Sequence, residues 1–145
     1  MIDDKVWWNR ERKCQGICEE IAATRAWGGN VLVLAHFDRT LSSLEAALRS
    51  RVIECHRFSL FDSPALCAGG TGGAGRVWAG LARTFQPPGK LASSESSSAY
   101  LEIIVAEHHP LRSRDELLIQ AAATIPCRTQ VSFHISLDDP LITHF

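Results

Sequence analysis

Two mostly apolar stretches dominate the pattern of polar and apolar positions along the chain. They are Val31–Phe37 and Leu101–Ala106, and each is too short for a helix and rich in residues that favour strands. Continuous apolar runs of this length are typical of strands that are buried on both faces of a parallel sheet. The pattern therefore predicts two central strands.

Helical periodicity appears in three other segments, where apolar residues recur every three or four positions and so share one face. The predicted helices are Asp4–Trp27, Arg39–Arg51 and Ser113–Ile125. Asp38 is a candidate N-cap for the second helix, and Ser113 with Glu116 forms a capping-box pattern at the start of the third.

Three weaker patterns predict further strands. They lie at Glu54–Phe58, Val77–Ala82 and Thr129–Ser136, and the last alternates between apolar and polar residues as an edge strand would. Residues 68–76 and 86–99 are rich in glycine, proline and serine and read as flexible loops.

Strands that alternate with helices imply βαβ units. The predicted fold is a three-layer α/β domain over residues 1–145, with an open, mostly parallel sheet of about five strands and helices on both faces.

The composition argues against nucleic-acid-binding, membrane-spanning and secreted proteins. The chain has 145 residues and a formal net charge of −1, which argues against electrostatic attraction to nucleic acid. No apolar run reaches the roughly 18 residues of a membrane span, and the N-terminus lacks the apolar region of a signal peptide. The five cysteines do not have the regular spacing of a disulfide-bonded scaffold, which indicates that they are reduced thiols. We expect a cytoplasmic protein.

Polar residues follow both predicted central strands. His36 and Asp38 follow the first, and Glu107, His108 and His109 follow the second. Ligands of open parallel sheets bind beyond the carboxyl ends of the strands. These side chains are therefore candidates for metal ligation or acid–base chemistry. The alternative is helix capping and loop hydrogen bonding, which we favour because the spacing matches no zinc signature.

The stretch Gly70–Gly75 fits the G-x-G-x-x-G pattern of phosphate-binding loops. That pattern needs a strand immediately before it, and Pro64 argues against one. Arg76 also stands where a phosphate loop has lysine. A flexible loop is the favoured interpretation.

Cysteines and tryptophans near the N-terminus have simple structural interpretations. Cys14 and Cys18 lie on the apolar face of the first predicted helix, where core packing is expected. Trp7 is expected to pack and Trp8 to be partly exposed, with a partner contact as the alternative.

Four segments carry a family resemblance. Lys13-Cys-Gln-Gly-Ile-Cys-Glu-Glu-Ile21, Gly29-Asn-Val-Leu-Val-Leu34, Leu101-Glu-Ile-Ile-Val-Ala-Glu-His-His109 and Val131-Ser-Phe-His-Ile-Ser-Leu-Asp-Asp-Pro-Leu-Ile142 occur in this order. Together they resemble the second RecA-like motor domain, of the helicase C-terminal type, in the SecA preprotein translocase ATPases. The resemblance implies a RecA-like fold.

The resemblance also implies site residues, carried over by position. They are Glu107, His109, Arg112 and Asp115, which in that family lie near the nucleotide at the face between the motor domains. ATP or ADP is thereby the only cofactor that the resemblance suggests, and otherwise we expect none.

The departures from the family concern the chemistry. The family's glycine-rich motif with a glutamine and two arginines is replaced by Leu-Leu-Ile-Gln-Ala-Ala-Ala-Thr-Ile-Pro-Cys, in which Gln120 is displaced and both arginines are missing. Gly80-Leu-Ala-Arg83 retains only fragments of a second motif. An arginine finger stabilises the charge on a transferred phosphoryl group, so its loss disfavours ATP hydrolysis.

Three functional hypotheses follow. The leading one is a degenerate, non-catalytic RecA-like domain that binds a protein partner, either a motor ATPase domain or a second copy of itself. The second is a small metal- or ligand-binding hydrolase-like protein that uses the strand-end cluster. The third is a decayed fragment without activity.

Overall fold

The computed structural model describes residues 2–59, 65–67, 73–85 and 97–139. Six strands form one sheet in the order β1-β6-β5-β2-β4-β3, and every neighbouring pair is parallel. The strands are β1 (Ile2–Trp7), β2 (Asn30–Ala35), β3 (His56–Arg57), β4 (Val77–Leu81), β5 (Ser97–Val105) and β6 (Cys127–Ser136). The helices are α1 (Arg10–Ala26), α2 (Asp38–Ser50) and α3 (Arg112–Ala123).

Helices cover both faces of the sheet. One apolar core lies beneath α1 and α2, and includes Ile17, Ile21, Leu41, Leu44, Leu48, Val31, Val33 and Ile104. The other lies beneath α3, and includes Leu118, Ala121, Leu32, Leu34, Ile103, Val131 and Phe133. Alternate residues of each central strand enter opposite cores, which is why these strands are apolar throughout. The predicted three-layer, open parallel α/β fold is confirmed, with six strands instead of about five.

Both central strands are confirmed. The predicted strand Val31–Phe37 is β2, which begins at Asn30 and ends at Ala35, and all of its residues are buried. The predicted strand Leu101–Ala106 is the second half of β5. The predicted strand at Val77–Ala82 is also confirmed as β4, and the one at Glu54–Phe58 shrinks to β3.

The predicted first helix is wrong at its start. Residues from Ile2 to Trp7 form β1, which pairs with β6, and α1 begins only at Arg10. Asn9 marks the boundary, because its side-chain oxygen accepts a hydrogen bond of 2.8 Å from the backbone nitrogen of Arg12. A strand with Asp3, Asp4 and Lys5 in its middle has no hydrophobic signal of its own, so β1 depends on its pairing with β6.

The prediction of β6 as an edge strand is also wrong. Strand β6 lies between β1 and β5, and both of its faces are buried. Val131 and Phe133 face the α3 side, whereas Ser132, His134 and Ser136 are buried on the other face. Polar residues at alternate positions usually indicate a strand face exposed to solvent. In β6 these residues face α1 instead.

Neither predicted helix cap is present. Asp38 is the first residue of α2. Phe37 occupies the N-cap position, and its side chain makes no capping hydrogen bond. Likewise Ser113 lies inside α3, which begins at Arg112 with Leu111 as its N-cap residue. The predicted inner face of α3 is correct for Leu118, Ala121 and Ala122, but Leu117 is exposed.

The N-terminal cysteines and tryptophans behave as expected. Cys18 lies in the core, Cys14 packs against it, and all five cysteines are thiols. Trp7 packs across Gly16 of α1, where any β-carbon would meet its ring, while Trp8 is 78% exposed.

A buried polar cluster lies between α1 and the sheet. The Thr24 hydroxyl donates a short hydrogen bond to Glu102 of β5, and Lys5 donates one of 2.7 Å to Glu20. The Trp7 indole nitrogen donates to Nδ1 of His134 at 3.0 Å, so Nε2 of His134 carries the proton and faces Glu20 at 3.3 Å. This cluster attaches α1 to three strands.

The cluster shifts the pKa values of its two carboxyl groups, Glu102 and Glu20, in opposite directions. Burial and the hydrogen bond with Glu20 raise the pKa of Glu102 to about 8. Burial also disfavours ionisation of Glu20, yet hydrogen bonds from His134, Glu102 and Lys5 hold its pKa below the ordinary range. Glu102 therefore carries the proton that the two carboxyl groups share at neutral pH.

This protonation predicts that Glu102→Gln flattens the dependence of stability on pH. Between pH 4.5, where the unfolded carboxyl ionises, and about 8, the folded chain retains a proton that the unfolded chain releases. Stability of the wild type therefore falls as pH rises through this window. Glutamine mimics the protonated acid, so at pH 9 the variant is expected to be more stable by on the order of a few kcal/mol.

Urea unfolding at pH 6 and pH 9 measures the difference. Glu19→Gln, an exposed change on the same helix, serves as the control and is expected to follow the wild type. Equal pH dependence in Glu102→Gln and the wild type would contradict the assignment.

Candidate functional site

The carboxyl edge of the sheet brings together the polar residues that follow β2 and β5. These two strands are direct neighbours, with Leu34 in register with Val105, and the backbone nitrogen of Ala106 extends the ladder by donating to the Leu34 carbonyl at 2.9 Å. His36 and Glu107 are the next side chains along the two strands. The predicted convergence of the two strand ends is therefore confirmed.

Asp115, in the first turn of α3, is the centre of this cluster. Its Oδ1 lies 2.9 Å from Nε2 of His36 and accepts a hydrogen bond of 3.1 Å from the backbone nitrogen of His109. Its Oδ2 lies 2.8 Å from Nδ1 of His108. A carboxylate only accepts hydrogen bonds, so the facing nitrogen of each ring carries a proton. Asp115 thus joins the ends of β2 and β5 to α3.

His108 contacts two further residues that the sequence did not indicate. Its Nε2 lies 3.4 Å from Oδ1 of Asp4 in β1, and its ring stacks on Phe133 of β6 at a centroid distance of 4.5 Å. The sequence did not mark Asp4 as a candidate site residue, because Asp4 lies in a segment predicted to be helical. His108 therefore extends the cluster across β6 to the edge strand.

Glu107 occupies the N-terminal end of α2. Its Oε1 accepts hydrogen bonds of 3.2 Å from the backbone nitrogens of both His36 and Phe37, and its Oε2 accepts one of 2.6 Å from the Thr40 hydroxyl. Helix N-termini attract anions through free amides and the helix dipole. Here the chain's own carboxylate occupies that position, where the sequence predicts Asp38 as the cap.

His109 lies at the outer surface of the cluster. Its ring meets that of His36 edge-on at 5.0 Å and stacks with Phe37 at 5.7 Å. Its Nδ1 accepts a hydrogen bond of 2.9 Å from the backbone nitrogen of Leu111, so this ring fixes the turn before α3.

Asp38 and Arg112 remain outside the cluster. Asp38 is exposed in the first turn of α2. Arg112 is 91% exposed in its side chain and pairs with Glu116 one helical turn away, at 3.2 Å. Of the seven candidate residues, five therefore converge, namely His36, Glu107, His108, His109 and Asp115.

The geometry favours mutual hydrogen bonding over metal ligation. Within the residues that the structure describes, no group of three or more His, Cys, Asp or Glu side chains is arranged to hold a metal ion. Burial lowers the pKa of His36, although the Asp115 carboxylate opposes this shift. His36 is therefore neutral at neutral pH and holds its hydrogen bond without a charge.

The described end of the glycine-rich stretch, residues 73–75, lies at the opposite edge of the sheet. Residues 70–72 of the G-x-G-x-x-G pattern are outside the described residues, but Gly75 leads through Arg76 directly into β4 and not into a helix. A β-carbon on Gly75 would lie 1.7 Å from the Gly29 carbonyl oxygen, so close backbone contact explains this glycine. The part described lacks the strand–loop–helix context that phosphate binding requires.

Large exposed apolar side chains line the carboxyl edge. They follow four strands that are adjacent in the order β1, β6, β5 and β2, and they are Trp8, Leu137, Leu111 and Phe37. Their exposed fractions are 78%, 45%, 59% and 45%. We call these four residues the apolar row.

Comparison with known proteins establishes the fold. No protein-family model and no curated protein matches the sequence. Among solved structures, the chain is similar to the C-terminal domain of a possible DNA helicase from Lactobacillus plantarum WCFS1, with a TM-score of 0.56 and 10% sequence identity. The match covers 97% of this chain and 77% of that one.

The chain has a RecA-like fold. Of the resemblance inferred from the sequence, the structural match supports the fold. Among the described residues, no helix combines the length and the apolar character needed to cross a membrane.

Asp115→Asn is expected to destabilise the folded chain. The change keeps the shape of the side chain but replaces one acceptor oxygen with a donor, so at least one of the hydrogen bonds to His36, His108 or the His109 backbone is lost. The expected loss is about 1–3 kcal/mol. Asp38→Asn, an exposed change at the same edge, is expected to stay within about 0.5 kcal/mol of the wild type.

Thermal and urea unfolding measure both variants. If Asp38→Asn were as destabilising as Asp115→Asn, the effect would come from net charge at this edge and not from the hydrogen bonds of Asp115.

Protonation of His36 is expected to make the folding stability depend on pH. Its pKa is lower in the folded chain than its ordinary value of 6.5, so the unfolded chain binds this proton more tightly. Stability is therefore expected to fall as pH decreases through about 6.5. His36→Gln keeps a donor toward Asp115 but cannot be protonated, so it should lose less stability between pH 7.5 and pH 5.5.

His56→Gln removes an exposed histidine from β3 and is the matched control. It is expected to retain the pH dependence of the wild type. An identical slope in the wild type and His36→Gln would show that His36 does not govern this pH range.

Proposed function

We propose that this chain is a non-catalytic RecA-like module that binds a motor ATPase domain of the SecA type through the carboxyl edge of its sheet. The observation that carries the proposal is the chemistry of that edge. Its polar side chains are engaged with one another, while the apolar row is exposed beside them.

The state of Glu107 supports a non-catalytic role. An incoming phosphate at the N-terminus of α2 would have to displace a carboxylate that already accepts two backbone hydrogen bonds and one from Thr40. It would also meet the negative charge of that carboxylate. A nucleotide site at this position is therefore disfavoured, in agreement with the absence of the two arginines from the sequence around Gln120.

The rigidity of the edge supports a binding role. Asp115 fixes the ends of β2 and β5 and the start of α3 relative to one another, so the side chains of the apolar row start from defined positions. Preorganisation lowers the entropy lost on association. Tryptophan and phenylalanine are also well suited to anchor an interface, because each buries a large area with few rotatable bonds.

The resemblance to the second motor domain of SecA supports the choice of partner. The matching residues Glu107, His109 and Asp115 lie at the carboxyl edge, where the resemblance places the contact with another motor domain. We therefore assign a motor domain, and not a second copy of this chain, as the partner. The proposed location is the cytoplasm, where such ATPases act.

A binding measurement with a purified SecA-type ATPase tests the proposal. We expect saturable binding in the micromolar range that depends on whether the ATPase carries ATP, ADP or no nucleotide. The double change Trp8→Ala with Phe37→Ala should weaken it at least about 10-fold, as expected for anchor residues. Val52→Ala should not, since Val52 is 89% exposed but follows α2 at the opposite edge of the sheet.

Several results would contradict the proposal. ATP turnover by the pure chain that disappears in Glu107→Gln would identify an enzyme. Self-association in sedimentation experiments that is sensitive to the double change would favour a second copy as the partner. Binding of a single-stranded oligonucleotide, with no binding of the ATPase, would point to nucleic acid instead.

A further inference from the structure

Two cysteines from distant parts of the sequence meet at the amino edge of the sheet. Cys67 ends a short helical turn over residues 65–67, and Cys127 is the first residue of β6. Their sulfur atoms are 3.0 Å apart, although 60 positions separate them in the sequence. Both side chains are partly exposed, so a small reagent in solvent has access to them.

Independent contacts hold each cysteine in position. Leu66 is buried in the core beneath α3, and its carbonyl accepts a hydrogen bond of 3.0 Å from the side chain of Asn30. Cys127 is held by the pairing of β6 with β5, in register with Ser97. A disulfide has a bond of roughly 2.05 Å, so the two sulfurs need to approach by only about 1 Å.

We propose that Cys67 and Cys127 are a redox site that forms a reversible disulfide with a low-molecular-weight disulfide, such as oxidised glutathione, as the oxidant. The site lies at the edge opposite the apolar row and does not depend on the proposed function.

The reaction proceeds by two thiol–disulfide exchanges. The Cys67 thiol donates its hydrogen to the Cys127 sulfur, so Cys67 keeps its proton and Cys127 attacks first. Burial, together with the neighbouring Cys127 sulfur, also raises the pKa of Cys67 to about 12. The Cys127 thiolate attacks one sulfur of oxidised glutathione, and one glutathione thiolate leaves. Cys67 then loses its proton to solvent and attacks the Cys127 sulfur, which releases the second glutathione.

The exchanges balance. Two cysteine thiols are oxidised to one disulfide, one glutathione disulfide is reduced to two thiols, and two electrons are transferred. Reduced glutathione in excess reverses both steps.

The cross-link would attach the start of the glycine-rich segment to β6. The Asn30 side chain already holds both ends of this segment, since it donates to the Leu66 carbonyl and accepts from the backbone nitrogen of Arg76 at 3.0 Å. A covalent bond at Cys67 would add a third attachment. Because the bridge closes a long loop, it would also restrict the unfolded chain.

Incubation of the reduced, folded protein with excess oxidised glutathione tests the site. Mass spectrometry of the intact chain before alkylation is expected to show a loss of two hydrogens. Digestion after alkylation of the remaining thiols is expected to give a peptide that links Cys67 to Cys127. The oxidised chain should melt at least about 5 °C higher, and dithiothreitol should restore the original melting temperature. Cys55→Ser, which removes a thiol outside the pair, should behave like the wild type.

The single variants test the order of attack. Cys67→Ser leaves Cys127 without a partner thiol, so the glutathione adduct should accumulate there. Cys127→Ser should form an adduct at Cys67 more slowly, because burial, the larger cause of the raised pKa of Cys67, remains in this variant.

Two results would overturn the proposal. One is the absence of the Cys67–Cys127 link in protein that retains its folded circular dichroism. The other is indiscriminate pairing, in which Cys14, Cys18 or Cys55 is linked as often. Neither result bears on binding of a motor ATPase, which is measured on the reduced chain.

Discussion

Parallel pairing of β2 with β5 is the constraint on which the rest of the structure depends. It places two mostly apolar strands side by side in the centre of the sheet, so that alternate apolar residues enter the core beneath α1 and α2 and the core beneath α3. It also fixes where both strands stop. Because Leu34 and Val105 are in register, His36 and Glu107 emerge together, and Asp115 of α3 completes the cluster.

Buried polar groups then set the positions of the outer elements. Lys13 of α1 donates to the Ala106 carbonyl at 2.9 Å and to Asp139 at 3.0 Å, and Asp139 in turn accepts from the backbone nitrogen and hydroxyl of Ser136. Together with the cluster around Glu102, these bonds attach α1 to β1, β5 and β6. In the part of the chain that the structure describes, every buried side-chain nitrogen and oxygen has a partner, which avoids the cost of an unsatisfied donor or acceptor.

The two edges of the sheet differ in character. At the carboxyl edge, Glu107 occupies the N-terminus of α2 and the histidines contact Asp115, so the polar groups are satisfied internally. At the amino edge, backbone contact between Gly75 and Gly29 and the side chain of Asn30 organise the segment before β4. Within one RecA-like fold, side-chain hydrogen bonds thus organise the carboxyl edge, whereas backbone contacts and one amide side chain organise the amino edge.

The sequence by itself determined the elements whose signals are local. The mostly apolar runs of β2, β4 and β5 and the helical spacing of α2 and α3 predicted those elements and the parallel α/β class, because strands buried on both faces are rich in apolar residues. The sequence placed His36, Glu107 and His109 at strand ends, but only the pairing of β2 with β5 brings them together. Tertiary structure alone decided β1 and the interior place of β6, since β1 forms by pairing with β6 and the buried His134 contacts Trp7 of β1 and Glu20 of α1. It likewise decided the start of α2, where Glu107 from beyond β5 bonds the backbone before the helix and Asp38 does not cap it.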